Sequence, residues 1–229
     1  MIRLSPGTLM TERMRFFHYS SAAACVILMW ALFALAGYKV RPWNIRPAES
    51  YPAKLTSEGV TIAVEPMFQD ALAAQVFDKD DMVTRGIMPV AVAIFNENDF
   101  PVMVQGTSVE LITGDDKLRT MYPNEVVPKL FAKGGKNVWL PQPPIPKASG
   151  DQPNRDAIQD FDHKFLERKV VAAREKGGGF LYLRVSETKD IRAFLEKSRL
   201  YIPEVYRYDT GKSMIFFEID LQPAIAARN

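Results

Sequence analysis

The pattern of apolar and polar positions divides the chain before any residue is weighed for chemistry. One run, Ala22 to Gly37 (AAACVILMWALFALAG), has no charge in sixteen residues. It lacks the periodicity of a helix buried on one face, which leaves a membrane or targeting segment. From Leu55 onward the apolar residues come in short groups separated by turn residues. Gly59 to Val64, Met88 to Asn96, Pro101 to Gln105, Thr107 to Thr113, Phe180 to Val185, Leu200 to Ile202 and Ser213 to Leu221 read as strands. The strongest is Pro89 to Phe95, rich in branched side chains and closed by the polar turn Asn96-Glu97-Asn98-Asp99. Asp209-Thr210-Gly211-Lys212 predicts a tight turn between two late strands.

Helical spacing interrupts these strands. Gln69 to Phe77 sets Leu72, Ala73, Val76 and Phe77 on one side. Arg155 to Arg168 repeats Ile158, Phe161, Phe165 and Leu166 at helical intervals, with Asp156, Asp160, Lys164 and Glu167 elsewhere on the cylinder. Asp190 to Lys197 is a third, shorter candidate, and Gln142 to Asn154 is a linker rich in Pro, Gly and Ser. Together these elements predict a mainly β domain, an immunoglobulin-like antiparallel β-sandwich with two or three short helices, preceded by one N-terminal membrane or signal helix. An α+β sheet with helices on one face is the alternative. The organisation is then a flank over 1–21, the membrane or signal segment over 22–37, and an extended linker over 38–54 carrying Pro42, Pro47 and Pro52. The domain follows over 55–225 with a helical insertion near 155–168, and a tail over 226–229.

The apolar run has two readings. Arg3, Arg13 and Arg15 precede it and Ala34-Leu35-Ala36 ends it, the order of a signal peptide cut after Ala36. Extended from Tyr19 to Tyr38, it would rise about 30 Å as a helix and serve as a retained signal anchor. The anchor places the chain in a bacterial inner membrane, held through residues 19–38, with the C-terminal domain in the periplasm or envelope. Cleavage makes it periplasmic or secreted. Cys25 stands at the front of the hydrophobic run, where a lipobox cysteine does not sit, and reads as an apolar membrane residue.

Charge narrows the function. The 229 residues hold 29 basic and 27 acidic side chains, and the first 36 take three arginines and one glutamate, so the remainder is formally neutral. Without a long Lys/Arg cluster it has no electrostatic footprint for nucleic acid. A single Cys excludes a disulfide framework.

Gly86-Ile87-Met88-Pro89-Val90 through Asn96, and Glu175-Lys176-Gly177-Gly178-Gly179-Phe180-Leu181-Tyr182-Leu183, resemble signatures of uncharacterised bacterial exported proteins and lipoproteins with immunoglobulin-like domains. The resemblance covers those stretches and does not include the lipoprotein cysteine. It implies a structural or binding role without known catalytic residues.

The residues themselves point the same way. Of two histidines, His18 lies in the N-terminal flank and His163 in the Arg155 to Arg168 helix, where it reads as solvated. No G-x-S-x-G, H-E-x-x-H or C-x-x-C occurs. Gly211-Lys212-Ser213 ends like a phosphate loop, but Tyr206 stands where that loop needs glycine. Gly177-Gly178-Gly179 precedes a strand and so is not a dinucleotide fingerprint. Asp78 to Asp81, Glu97 to Asp99 and Asp115-Asp116 read as solvated turns, able to ligate Ca²⁺ only if the loops converge. No catalytic residue, cofactor or metal site is assigned.

Four residues are candidates to face a partner: Phe216, Phe217, Pro143 and Pro144. Successive strand residues point oppositely, so one of the two phenylalanines enters the core while the other meets a helix such as Arg155 to Arg168, a partner protein or a ligand. Pro143 and Pro144 lie in a run, Pro141 to Pro146, suited to a polyproline helix or a stiff spacer. The expectation is a non-enzymatic membrane-tethered or exported envelope protein, an interaction or accessory module for another envelope protein. The alternative is a carrier of a small apolar ligand or lipid.

Overall fold

The computed structural model describes residues 38–114, 116–131, 155–185 and 190–228. The 22–37 run, Cys25, His18, Pro143 and Pro144 lie outside them. Among the described residues no helix is long and apolar enough to cross a membrane.

The strands are β1 (Ala53–Ser57), β2 (Val60–Pro66), β3 (Ile87–Asn96), β4 (Val102–Gln105), β5 (Glu110–Thr113), β6 (Asp116–Met121), β7 (Arg168–Val171), β8 (Lys176–Arg184), β9 (Arg199–Arg207) and β10 (Lys212–Asp220). Between them lie α1 (Asp70–Ala73), α2 (Pro123–Phe131), α3 (Arg155–Lys164), α4 (Ile191–Leu195) and α5 (Gln222–Ala226). The strands form one sheet in the order β1-β2-β3-β8-β6-β5-β9-β4-β7, with β10 on the other side of β9. Neighbouring strands pair antiparallel. The domain is therefore mainly β and antiparallel with short helices, as its pattern predicts.

Two halves of the sheet meet at β6, which pairs with β8 through Thr120 and Met121 and with β5 through residues 116–119. Alternation sends Met88, Val90, Val92 and Ile94 of β3 and Leu181 and Leu183 of β8 into the main core. Val102 and Val104 of β4, Leu200, Ile202 and Val205 of β9, and Phe217 and Ile219 of β10 enter the same core from the other half. β10 also runs beside β1, so the ends of the sheet approach each other around that core.

Several boundaries differ from the sequence expectation for identifiable reasons. The expected strand Thr107 to Thr113 begins as a 3₁₀ turn, Gly106–Ser108, because the Gly106 amide donates to the Glu167 carbonyl across the fold. The helix expected over Arg155 to Arg168 stops at Lys164. Phe165 then bridges to Phe180, the Leu166 amide donates to the Phe180 carbonyl at 2.9 Å, and Arg168–Val171 pairs with β4. Gln69 to Phe77 is α-helical only over Asp70–Ala73 and continues as turns. The buried face of α3 is also rotated: Ala157, Asp160 and Phe161 point inward, whereas Ile158 is 38% exposed. Asn96 remains in β3 although buried, because its side-chain amide donates to the carbonyls of Phe100, Val171 and Ala172 and its Oδ1 accepts from the Asn98 amide.

The outer face of β2, β3 and β8 carries a second layer. Its outward residues Ala63, Ala91, Ala93 and Gly178 are small, and Phe180 and Tyr182 stand beside them. A Cβ at Gly178 would lie 2.2 Å from the Val92 carbonyl oxygen and 3.0 Å from Trp43, so neither sheet nor cover leaves room for one. Phe77, Phe161, Phe180 and Tyr182 form a cluster with centroids 4.7–5.9 Å apart, and the Tyr182 hydroxyl donates to the Phe161 carbonyl at 2.9 Å. Residues 39–52 of the Pro-punctuated stretch are part of this layer, and its last two residues open β1. It is non-helical apart from the 3₁₀ turn Ala48–Ser50, and it packs along the sheet instead of standing away from it, with Tyr51 only 1% exposed.

Candidate functional site

The outer face of β4, β9 and β10 has no such layer among the described residues. Core positions of β9 leave Tyr201, Glu204 and Tyr206 on its outer side, and Phe217 in the core puts Phe216 outward. Phe216 is 56% exposed and its ring centroid lies 6.2 Å from that of Tyr201. The expected alternation of Phe216 and Phe217 holds. The expected cover does not: α3 packs against Phe77 and Tyr182 on the opposite side of the core, leaving Phe216 in solvent.

Register extends the band. Met103 of β4, itself buried, stands opposite Tyr206 on one side and Val170 on the other, and Val170 is exposed. Tyr201 stands between Glu110 and Glu218. Around these apolar positions run surface ion pairs: Arg199 with Glu218 at 2.8 Å, Lys117 with Glu110 at 3.0 Å, and Arg207 with Asp209 at 2.7 Å. The hydrogen bond that Arg199 donates to Glu218 raises the guanidinium above its ordinary value, and the bond that Asp209 accepts from Arg207 holds its carboxyl below the ordinary carboxylate range. Surface pairs of this kind contribute little to folding, so they orient charge at the rim without anchoring the sheet. Tyr201, Tyr206, Met103 and Val170 were not singled out from sequence, although Leu200-Tyr201-Ile202 already alternates.

The remaining sequence candidates are dispersed. His163 is exposed on α3, in an open depression with Arg155, Ile158, Gln159 and Asp162. The acidic runs do not converge. Asp78 binds Arg41, Asp81 binds Lys79 and Arg85, and Asp99 binds Arg174, while Asp115 lies outside the described residues. Among the described residues no three His, Cys, Asp or Glu side chains are placed to share a metal ion. Residues 209–212 form the expected turn, with Gly211 at φ +67°.

One buried polar pair lies in the covered layer. Asp160 and Lys164 meet at 2.6 Å with side chains 2% and 9% exposed. Lys164 Nζ also donates to the Val76 carbonyl at 2.9 Å and sits 4.9 Å from the Phe77 ring centroid. Burial pushes the Lys164 ammonium below the ordinary lysine value, and Asp160 opposes that shift. With the cation this fully coordinated, the pair joins α3 to the turn after α1.

No family model matches the chain, and no curated protein is similar to it. Among solved structures it is similar to ycdA of Bacillus subtilis, an inferred lipoprotein, at 14% identity and a TM-score of 0.36. The match covers 78% of this chain and 41% of that one, so the chain spans less than half of that protein. A likeness this shallow carries no argument about fold or function.

Proposed function

We propose that the chain is a non-enzymatic envelope protein whose domain works outside the cytoplasm as an interaction module, docking another envelope protein on the outer face of β4, β9 and β10. The observation that carries the reading is Phe216, a large ring more than half exposed beside Tyr201, in a sheet whose other outer face is covered. The uncharged 22–37 run supports export, as anchor or as cleaved signal, and the neutral remainder gives nucleic acid nothing to hold. An immunoglobulin-like sandwich is the finer reading of the fold, supported by two sheet halves feeding one core. The ligand-carrier alternative is less favoured, because the rings of Phe77, Phe161, Phe180 and Tyr182 fill the layer between sheet and helices.

A photo-crosslinking amino acid placed at Phe216 in living cells tests the module, with Ile158 on the exposed side of α3 as the control position. The expected result is a discrete adduct with one envelope protein from position 216 and none from 158. Absence of an adduct at 216, or the same adducts from both positions, overturns the docking face.

A further inference from the structure

Residues 39–51 lie on a sheet that is complete without them. Among the described residues their backbone makes no hydrogen bond to the backbone of any strand; the two backbone bonds they form, Ser50 to Pro47 and Tyr51 to Ala48, are internal. What holds them is side chains. Asp78 accepts from the Lys39 amide at 2.9 Å and from Arg41 at 2.6 Å, and Arg41 donates also to the Ala74 carbonyl. Trp43 meets Phe180 edge-on at 4.8 Å, Ile45 and Tyr51 pack over Ala63 and Ala93, and Arg46 binds Glu65 at 3.0 Å. An open cleft of about 150 Å³, lined by Trp43, Arg46, Glu65, Leu72, Gln75 and Arg228, borders one flank of the segment.

The strands beneath keep all their ladder partners whether or not this segment is present, since β2 is paired on both edges by β1 and β3, and β3 by β2 and β8. A segment bound through a few side chains to a self-sufficient sheet belongs to the low end of the local stability range. We propose that residues 39–51 are a detachable strap that opens without unfolding the sheet and so switches the domain between a short and a long tether. Closed, the domain is gripped at Lys39, directly after the apolar run. Open, the chain from 39 to Ala53 is free, adding about 45 Å of reach at full extension.

Neighbouring positions on β3 distinguish strap opening from unfolding. Ala93 faces outward under the strap and Val92 faces the main core. In full-length Cys25→Ser protein, cysteines are placed singly by Ala93→Cys and Val92→Cys, and thiol-labelling rates are compared under native conditions. The same comparison at Ala63→Cys and Ile62→Cys on β2 serves if either first variant does not fold. The strap predicts labelling at least tenfold faster at the outward position of each pair. Adding Arg41→Ala should raise the outward rate at least tenfold more and leave the inward rate unchanged. Equal rates at the two positions, or rates that rise together with Arg41→Ala, overturn the proposal.

Discussion

The outer face of β2, β3 and β8 and the outer face of β4, β9 and β10 arise from the same alternation and meet opposite fates. The first presents Ala63, Ala91, Ala93 and Gly178 beside Phe180 and Tyr182, with no charge at those positions. The second sets Tyr201, Tyr206 and Phe216 among Arg199, Glu204, Glu110 and Glu218. Small residues flanked by rings offer a smooth apolar surface with space above it, which water disfavours and the chain covers with its own strap and helices. Rings interrupted by ion pairs tolerate water singly, so the fold applies no pressure to cover them. A covered face is therefore a property of folding, whereas a bare face with an exposed ring is open to selection for contact.

The comparison breaks most sharply at the buried pair of the covered layer. Asp160→Asn leaves the Lys164 ammonium buried without its counter-charge, at the end of α3 and against Phe77. Removing one partner of a buried pair costs about 3–5 kcal/mol. Denaturant unfolding of the variant should show a loss of that size. A loss under about 1 kcal/mol would mean that the pair does not hold α3 to the turn after α1.

These residues also mark where the sequence could be read and where it could not. Branched Val90, Val92 and Ile94 announced β3, and the doublet Phe216-Phe217 announced one core ring and one outward ring. β6 was missed because Asp116, Lys117 and Arg119 leave few apolar positions to alternate, and β7 because only three residues separate it from a helix whose apolar spacing runs on to Leu166. Pro123 and Pro128 hid α2, although the Glu125 carboxylate accepting from the Tyr122 amide is half of a capping box. The strap read as a spacer because Pro42, Pro47 and Pro52 exclude helix, yet Arg41, Trp43 and Ile45 alternate inward. Asp160 and Lys164 fell off the apolar stripe of their helix because spacing shows which residues share a stripe, and not which stripe a neighbour will cover. In the bare face, sequence located the ring but not its neighbours, since Met103 comes beside Tyr206, and Val170 beside Met103, only through long-range register.

Acid should separate the two faces more gently. The Lys39 amide and the Arg41 guanidinium, both bound to Asp78, hold its carboxylate below the ordinary range. A folded-state value lowered in this way stabilises the closed strap at every pH above the unfolded aspartate value, near about 4, and the contribution is lost as pH falls through the folded value. With Trp30→Phe and Trp139→Phe leaving Trp43 as the sole tryptophan, acidification below about pH 4 should shift its emission to the red while the β-sheet circular dichroism persists. Asp78→Asn should show the shifted emission already at neutral pH. Loss of sheet signal in step with the tryptophan shift would show that strap and sheet melt together.

The smallest effect on folding is expected on the bare face. Phe216 contributes a ring that water already reaches, and its contact with Tyr201 lies at the surface. Truncation by Phe216→Ala should therefore change unfolding free energy by no more than about 0.5 kcal/mol. Phe217→Ala, one residue on, removes a fully buried ring and should cost about 3–5 kcal/mol. That contrast makes the exposed position informative. If Phe216→Ala destabilised the domain like its neighbour, its ring would be required for folding and its exposure would say nothing of a partner. If stability is kept while the adduct formed at neighbouring Tyr201, carrying the same photo-crosslinker, is lost, the ring belongs to the docking surface and the difference between the two faces is functional.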